Sequence, residues 1–331
     1  MDHKHPRLQR QSAGFSLIEL MVALTIGLIL IAGLMTLVVG NMQGYGELNK
    51  ASYQLENARY ASQFLRNELS MAGYYGNLTF PREAPDFPDD PCSTDKADVA
   101  ARYDIFIQGW DSVASTDDEF ACNDSISVKE GTDVLLLRRV SSSETELTKR
   151  NDDLLYFASN AKEFAILEGT ESTSGIGFLS ETLFRNVRQL LERVVYVSTC
   201  NVCSGDEADS IPTLKMIEIR NGDWSDPLPL VEGVDDLQVD YGLDEDENST
   251  PERWVALPAD RDEWAQVAAV RFHVLVRNVD DTAGFSDQKV YVMGLADEDT
   301  EQLAGPFEDG FKRHVYSMTV RLRNVTERLE E

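Results

Sequence analysis

From Leu20 to Val39 the chain runs for 20 residues without a charged side chain, and most of them are apolar. As a helix, that run spans about 30 Å, the hydrocarbon thickness of a bilayer. Ahead of it, MDHKHPRLQRQSAG (1–14) carries Lys4, Arg7 and Arg10 against Asp2 and has no apolar stretch. Behind it lies an acidic bulk, and the whole chain carries 58 Asp and Glu against 30 Lys and Arg, a net charge of −28. The basic flank is expected to stay in the cytoplasm and the rest to cross the membrane. A secretory signal peptide has a shorter apolar core with a small-residue cleavage site after it; here the run is too long and no A-x-A site follows.

Glu19 is the one charge at the head of this helix. A carboxylate in a membrane helix costs about 3 kcal/mol unless it is paired. Helical spacing sets Glu19 one turn from Phe15. A cut between Gly14 and Phe15 creates an amine at Phe15, a natural counter-charge on the same chain or on a neighbour in an assembly. The charge is costly for a lone anchor and useful for a packed one.

Gly14-Phe15-Ser16-Leu17-Ile18-Glu19-Leu20 followed by a long apolar helix resembles the class III signal of type IV prepilins and type II secretion pseudopilins. The resemblance implies that a prepilin peptidase cuts after Gly14 and methylates Phe15, and that Glu19 is the assembly carboxylate. It also implies an inner-membrane protein with a single pass and a periplasmic C-terminal domain, which later enters a filament at the cell surface.

Beyond the membrane run, small or apolar residues recur at Leu48, Ala51, Leu55, Ala58, Ala61, Leu65, Leu69 and Ala72. Steps of three and four predict an amphipathic helix. Glu47, Lys50, Glu56, Arg59, Arg66 and Glu68 are expected on its other faces. No proline occurs between Phe15 and Gly76, so one helix over about 15–72 is expected, with a break near 40–46 as the alternative. Gly73-Tyr74-Tyr75-Gly76 is expected to end it. The segments expected are a leader (1–14), an anchor half (15–39), an amphipathic half (40–76) and a β-rich globular domain (77–331).

PREAPDFPDDPC (81–92) reads as a loop. Strands with one wet face are predicted where apolar and polar residues alternate: Leu237, Val239, Tyr241 and Leu243; Val270, Phe272, Val274 and Val276; Tyr316, Met318, Val320 and Leu322. Further strands are predicted at 104–109, 133–140, 193–199, 213–220 and 289–294, and a short helix at 180–192. The fold class is α+β: a long N-terminal helix packed on an antiparallel sheet. Segments 58–76, 230–244, 267–278 and 315–324 are similar in order to PilW-type minor pilins, whereas 80–230 matches least. That resemblance implies a minor pilin that starts or supports type IV pilus assembly. Its implied partners are other minor pilins, the major pilin, the prepilin peptidase and the inner-membrane assembly platform. A minor pseudopilin of type II secretion and a pilin-anchored surface adhesin are the alternatives.

Four cysteines are present: Cys92, Cys122, Cys200 and Cys203. An exported domain sits in a compartment that permits disulfides. Cys200-Asn201-Val202-Cys203 is read as a structural disulfide, because the acidic SGDEADS that follows would raise a thiol's pKa and disfavour redox chemistry. Cys92 then pairs with Cys122, although four cysteines allow three pairings. Asp244, Asp246 and Asn248 resemble the start of a calcium loop, but Ser249 stands where its glycine belongs and Val255 where its last acid belongs. A solvated acidic turn is the simpler reading, so no cofactor is expected unless calcium binds there. The acidic balance argues against nucleic acid. His3 and His5 fall in the leader, and His273 and His314 fall on strands. No G-x-S-x-G, H-E-x-x-H or phosphate loop occurs, so no enzyme is expected.

Overall fold

The computed structural model describes residues 14–326 except 15, 77, 79–89, 104, 114–121, 123–125, 161, 175, 177–185, 221, 247 and 298. The chain divides into two compact units, Met1–Ala51 and Ser52–Glu331. Helix α1 (Leu17–Met71) runs through the boundary without the break considered at 40–46. Apolar side chains from Leu17 to Val39 are exposed, among them Leu20, Leu24, Ile29 and Leu34, as befits a surface whose solvent is lipid or a neighbouring helix.

In the second unit, α1 buries Ala58, Ala61, Leu65 and Leu69. The predicted stripe is therefore real, but it reaches the core only from Ala58, and Leu55 stays exposed. Glu68, expected on a polar face, is buried instead. Its carboxylate takes Arg139 Nε at 3.1 Å and Nη2 at 3.0 Å, and Arg193 Nη1 at 2.7 Å. Two arginines from the sheet supply the counter-charge that lets a glutamate go inside. Gly73, at φ 72°, ends the helix in the left-handed region. The side-chain amide of Asn324 donates to the carbonyls of Ser70 and Ala72, both at 3.2 Å, satisfying acceptors that the helix leaves open.

The larger sheet joins β1 (Ile107–Val113), β2 (Thr132–Glu144), β5 (Asn186–Ser198), β3 (Leu155–Ser159) and β4 (Phe164–Glu168) in that order. From β5 it continues through β6 (Thr213–Arg220) to β7 (Asp223–Trp224) and β8 (Leu228–Glu232). A four-stranded sheet has the order β10 (Arg253–Val255), β9 (Val234–Leu243), β11 (Val267–Arg277), β14 (Arg313–Arg321). Strands β12 (Tyr291–Leu295) and β13 (Glu301–Ala304) form a hairpin. Every strand pair described is antiparallel. Short helices are α2 (Lys96–Ala101), α3 (Arg261–Ala265) and α4 (Arg323–Thr326). The predicted α+β class holds, with two principal sheets in place of one.

The main core joins α1 to both sheets through Leu65, Leu69, Leu135, Val195, Leu214, Val239, Tyr241, Phe272 and Val274. A second core on the opposite face of the larger sheet gathers Tyr75, Leu136, Phe157, Val194, Tyr196 and Ile217. That sheet is thus covered on both faces, which explains a misreading. The helix predicted at 180–192 is wrong where it can be examined, because 186–198 is strand β5; 180–185 lies outside the described residues. A strand buried on both faces, here with Arg188 and Glu192 inside among the apolar residues, loses its alternation and resembles a buried helix segment in sequence. The face of β9 expected to be wet is mostly not: of Asp236, Gln238, Asp240 and Gly242, only Asp236 is partly exposed and the other three are buried.

Candidate functional site

Gly14 is exposed, and a Cβ built on it meets nothing within 4 Å. The leader residues 1–13 and Phe15, hence the cleavage and methylation positions other than Gly14, lie outside the described residues. Ser16 opens α1: its Oγ accepts from the Glu19 N–H at 3.3 Å, and its carbonyl accepts from the Leu20 N–H at 3.1 Å. Ser16-Leu17-Ile18-Glu19 thus has the S-x-x-E pattern of a capping box, a signal present in the sequence but not used above. Glu19 is exposed in the first turn, where a carboxylate also complements the positive end of the helix.

The C-terminal sheet carries the densest polar construction. Asp240 on β9 accepts from Arg271 Nε at 2.7 Å and from the Leu295 N–H of β12 at 2.9 Å. His273 on β11 bridges it to β14, with Nε2 at 3.2 Å from Asp240 Oδ2 and Nδ1 at 2.7 Å from Ser317 Oγ. Its serine, histidine and aspartate are in line, but Asp240 is shared with Arg271 and a backbone N–H, so the line clasps four strands together. Gly294 lets β12 approach, since a Cβ there would stand 2.7 Å from Asp240 Oδ1. Arg313 at the start of β14 gathers Asp235 at 2.6 Å, Asp287 at 3.2 Å and Asp309 at 2.6 Å, and Lys129 also bonds Asp235. These partners hold the Asp235 carboxyl below its usual range despite burial, which pushes the other way. Asp236, which keeps a Gln238 amide at 3.0 Å, is pushed up to about 6 by burial. His314 is exposed, its ring set edge-on against Tyr316 at 4.9 Å.

The cysteines pair as expected, Cys92 with Cys122 and Cys200 with Cys203. Lys215 Nζ lies 3.1 Å from Cys203 Sγ, a neighbour the reading of SGDEADS did not anticipate. The acidic turn closes on itself. Asp244 accepts from the Asn248 N–H at 3.0 Å and the Ser249 N–H at 2.7 Å, and Asn248 Oδ1 accepts from the Thr250 N–H at 2.8 Å. Carboxylate oxygens of Asp244, Asp246 and Glu252 lie within 4.8 Å of one another. The turn therefore brings Asp244 and Asp246 together with Glu252, while the Asn248 carbonyl is committed to the backbone.

Asp133 was also missed by sequence reading. It is buried, accepts from the N–H groups of Ser112 at 2.8 Å and Val239 at 2.7 Å, and so links β1 to β9 across the core. Burial pushes its carboxyl well above the usual range. Nothing in VKEGTDVLLL distinguishes this aspartate from a turn residue, because its partners are backbone groups far along the chain.

Residues 9–35 match the prokaryotic N-terminal methylation motif, and residues 195–324 match the family described as type IV pilus-assembly protein W. The two matches are those of a PilW-type pilin with a prepilin signal, and they support a minor pilin of the type IV pilus over a secretion pseudopilin or an anchored adhesin. The pilus-assembly match starts at the end of β5, so it takes in 195–230, which had been read as part of the least similar stretch. No curated protein and no solved structure matches the chain.

Proposed function

We propose that this minor pilin is cut between Gly14 and Phe15 by a prepilin peptidase, methylated at Phe15, and drawn from the inner membrane into a filament whose assembly it starts or supports. In this reading 1–14 is the leader, 15–39 the anchor and filament core, 40–76 the amphipathic half, and 77–331 the domain in the periplasm and later on the pilus. The partners are other minor pilins, the major pilin, the peptidase and the assembly platform. Its role is assembly without turnover, in keeping with the structural character of the families matched.

One observation carries the reading. The same unbroken helix has an exposed apolar first half with one carboxylate in its first turn, and from Ala58 one face buried against a β domain. Exposed apolar side chains need lipid or a neighbour, and Glu19 needs a counter-charge once water is gone. Gly14 supports the leader assignment from another side. Nothing among the described residues crowds position 14, so a demand for glycine there fits a peptidase that reads it.

The test is N-terminal sequencing of the protein recovered from cells, with the mass of the first residue. A mature chain beginning at methylated Phe15 is expected. Replacing Gly14 with a bulky residue is expected to leave the chain at precursor size, and a mature-sized product would refute the leader assignment.

A further inference from the structure

We propose that Cys200–Cys203 is a thiol–disulfide exchange site, attacked by an exogenous dithiol at the Cys203 sulfur and held in its reduced form by Lys215. The pair sits where β5 gives way to a loop, and its two halves are in different surroundings: Cys200 is 8% exposed, whereas Cys203 is open to solvent. An incoming thiolate therefore meets Cys203 Sγ first.

Lys215, on β6, is only 5% exposed. Its ammonium donates to Cys203 Sγ at 3.1 Å and pairs with no carboxylate among the described residues. A disulfide sulfur is a weak acceptor and carries no charge, so the buried cation is poorly served while the bond is intact. A thiolate at the same atom is both a counter-charge and a strong acceptor. The contact thus favours the reduced form over the oxidised one, which is how a neighbouring cation makes a cysteine pair labile. Burial lowers the Lys215 pKa, and the Asp209 carboxylate offsets part of that.

The surrounding charges do not cancel this. Asp206 and Glu207 are exposed on the loop, and Glu232 is engaged by the Asn201 amide at 2.7 Å. Asp209 acts as a brace, accepting from the N–H groups of Asn201 at 2.8 Å, Val202 at 3.0 Å and Ile211 at 2.9 Å. Those bonds do not depend on the disulfide, so the loop keeps its shape when the bond opens. Ser198 Oγ, 3.6 Å from both sulfurs, and Thr199 Oγ1, 3.7 Å from Cys200 Sγ, are placed to donate to the departing sulfur.

The exchange balances as follows. One thiolate of the dithiol bonds to Cys203 Sγ, the Cys200–Cys203 bond breaks, and Cys200 leaves as a thiolate that takes up a proton. The second thiol of the reagent, deprotonated, attacks its partner in the mixed disulfide, and Cys203 leaves as a thiolate beside Lys215. The dithiol is oxidised to a disulfide and the cysteine pair is reduced by two electrons.

Cys92–Cys122 serves as an internal reference, since no cation contact to either sulfur is found among the described residues. The full chain in detergent is equilibrated across ratios of reduced to oxidised dithiothreitol, quenched, alkylated and mapped by mass. Cys200–Cys203 is expected to reach half-reduction at a ratio about tenfold lower than Cys92–Cys122. Lys215→Met is expected to erase most of that gap, and Lys215→Arg to preserve it. Equal midpoints in the native chain, or an unchanged gap in Lys215→Met, overturns the proposal. If Lys215→Met fails to fold, the native chain still decides: the alkylation rate of reduced Cys203 is expected to rise with pH below the ordinary thiol value of about 8.5. An ordinary profile at Cys203 overturns the proposal.

Discussion

At the scale of single residues, the informative positions are charges with few ways of being satisfied. Glu19 is exposed at the head of an apolar helix, and its proposed partner is an amine made by cleavage. Glu19→Ala is expected to leave processing intact and to lower the amount of protein in sheared filaments several-fold; an unchanged filament content, read by immunoblot, would reject the charge-pairing argument. Glu68 is the opposite case, since its partners are already present in Arg139 and Arg193. Glu68→Gln leaves two guanidinium groups facing a neutral amide, and a loss of about 3 kcal/mol is expected in urea unfolding. Asp236 gives a pH test. Burial pushes its carboxyl up to about 6, above the ordinary value of 3.8, so the folded chain holds the proton more tightly than the unfolded chain between those values. Its contribution is therefore fully present at low pH and is lost as pH rises from about 4 to about 6. Relative to the native chain, Asp236→Asn is expected to gain stability across that window, by up to about 2–3 kcal/mol at pH 7. A stability difference that does not vary with pH would reject the assignment.

At the scale of elements, the hairpin β12–β13 is tied to the four-stranded sheet by polar contacts. Asp240 holds the Leu295 N–H of β12 while His273 and Arg271 hold Asp240. Asp240→Ala is expected to loosen the hairpin before the rest of the sheet, seen as faster amide exchange over 291–304 with slower change in β9 itself. Uniform loosening of all four strands would show that Asp240 supports the sheet and not the hairpin. Helix α1 is legible at this scale because its signals are local: no proline, a capping serine, steps of three and four, and a glycine stop. Strands β9, β11 and β14 are legible for a similar reason, since alternation survives where one face is apolar and the other polar. Strand β5 was legible only in its second half, predicted as a strand at 193–199; in its first half Arg188, Gln189, Glu192 and Arg193 interrupt the apolar residues without alternation, because both faces are buried.

For the molecule as a whole, the acidic balance hides a structure in which its arginines are organised. Arg139, Arg193, Arg271 and Arg313 each face a carboxylate that no local pattern points to, at separations from 25 to 125 residues along the chain. The disulfide of Cys92 and Cys122, separated by 30 residues, closes a long loop, and the loop of Cys200 and Cys203 spans a separation of only 3. In the chain-entropy account the long loop contributes about 3–4 kcal/mol and the short one about half that. Loss of the first is thus expected to lower the thermal midpoint of the β domain more than loss of the second, as measured on Cys92→Ser/Cys122→Ser and Cys200→Ser/Cys203→Ser chains. An equal effect would show that strain or denatured-state structure outweighs loop length.

The amino-acid sequence by itself determined the parts of this protein that depend on neighbours in the chain. These are the membrane-length helix, the carboxylate one turn from Phe15, the end of α1 and the alternating strands, which together led to the prepilin signal and the pilus-assembly family. The tertiary structure decided which polar residues go inside. Asp133 reaches backbone groups on β1 and β9, Glu68 reaches two arginines on the sheet, and Lys215 comes to rest against Cys203 from the next strand. A helix or a strand is specified by periods of a few residues, whereas the stability of a buried charge depends on partners that only folding brings near.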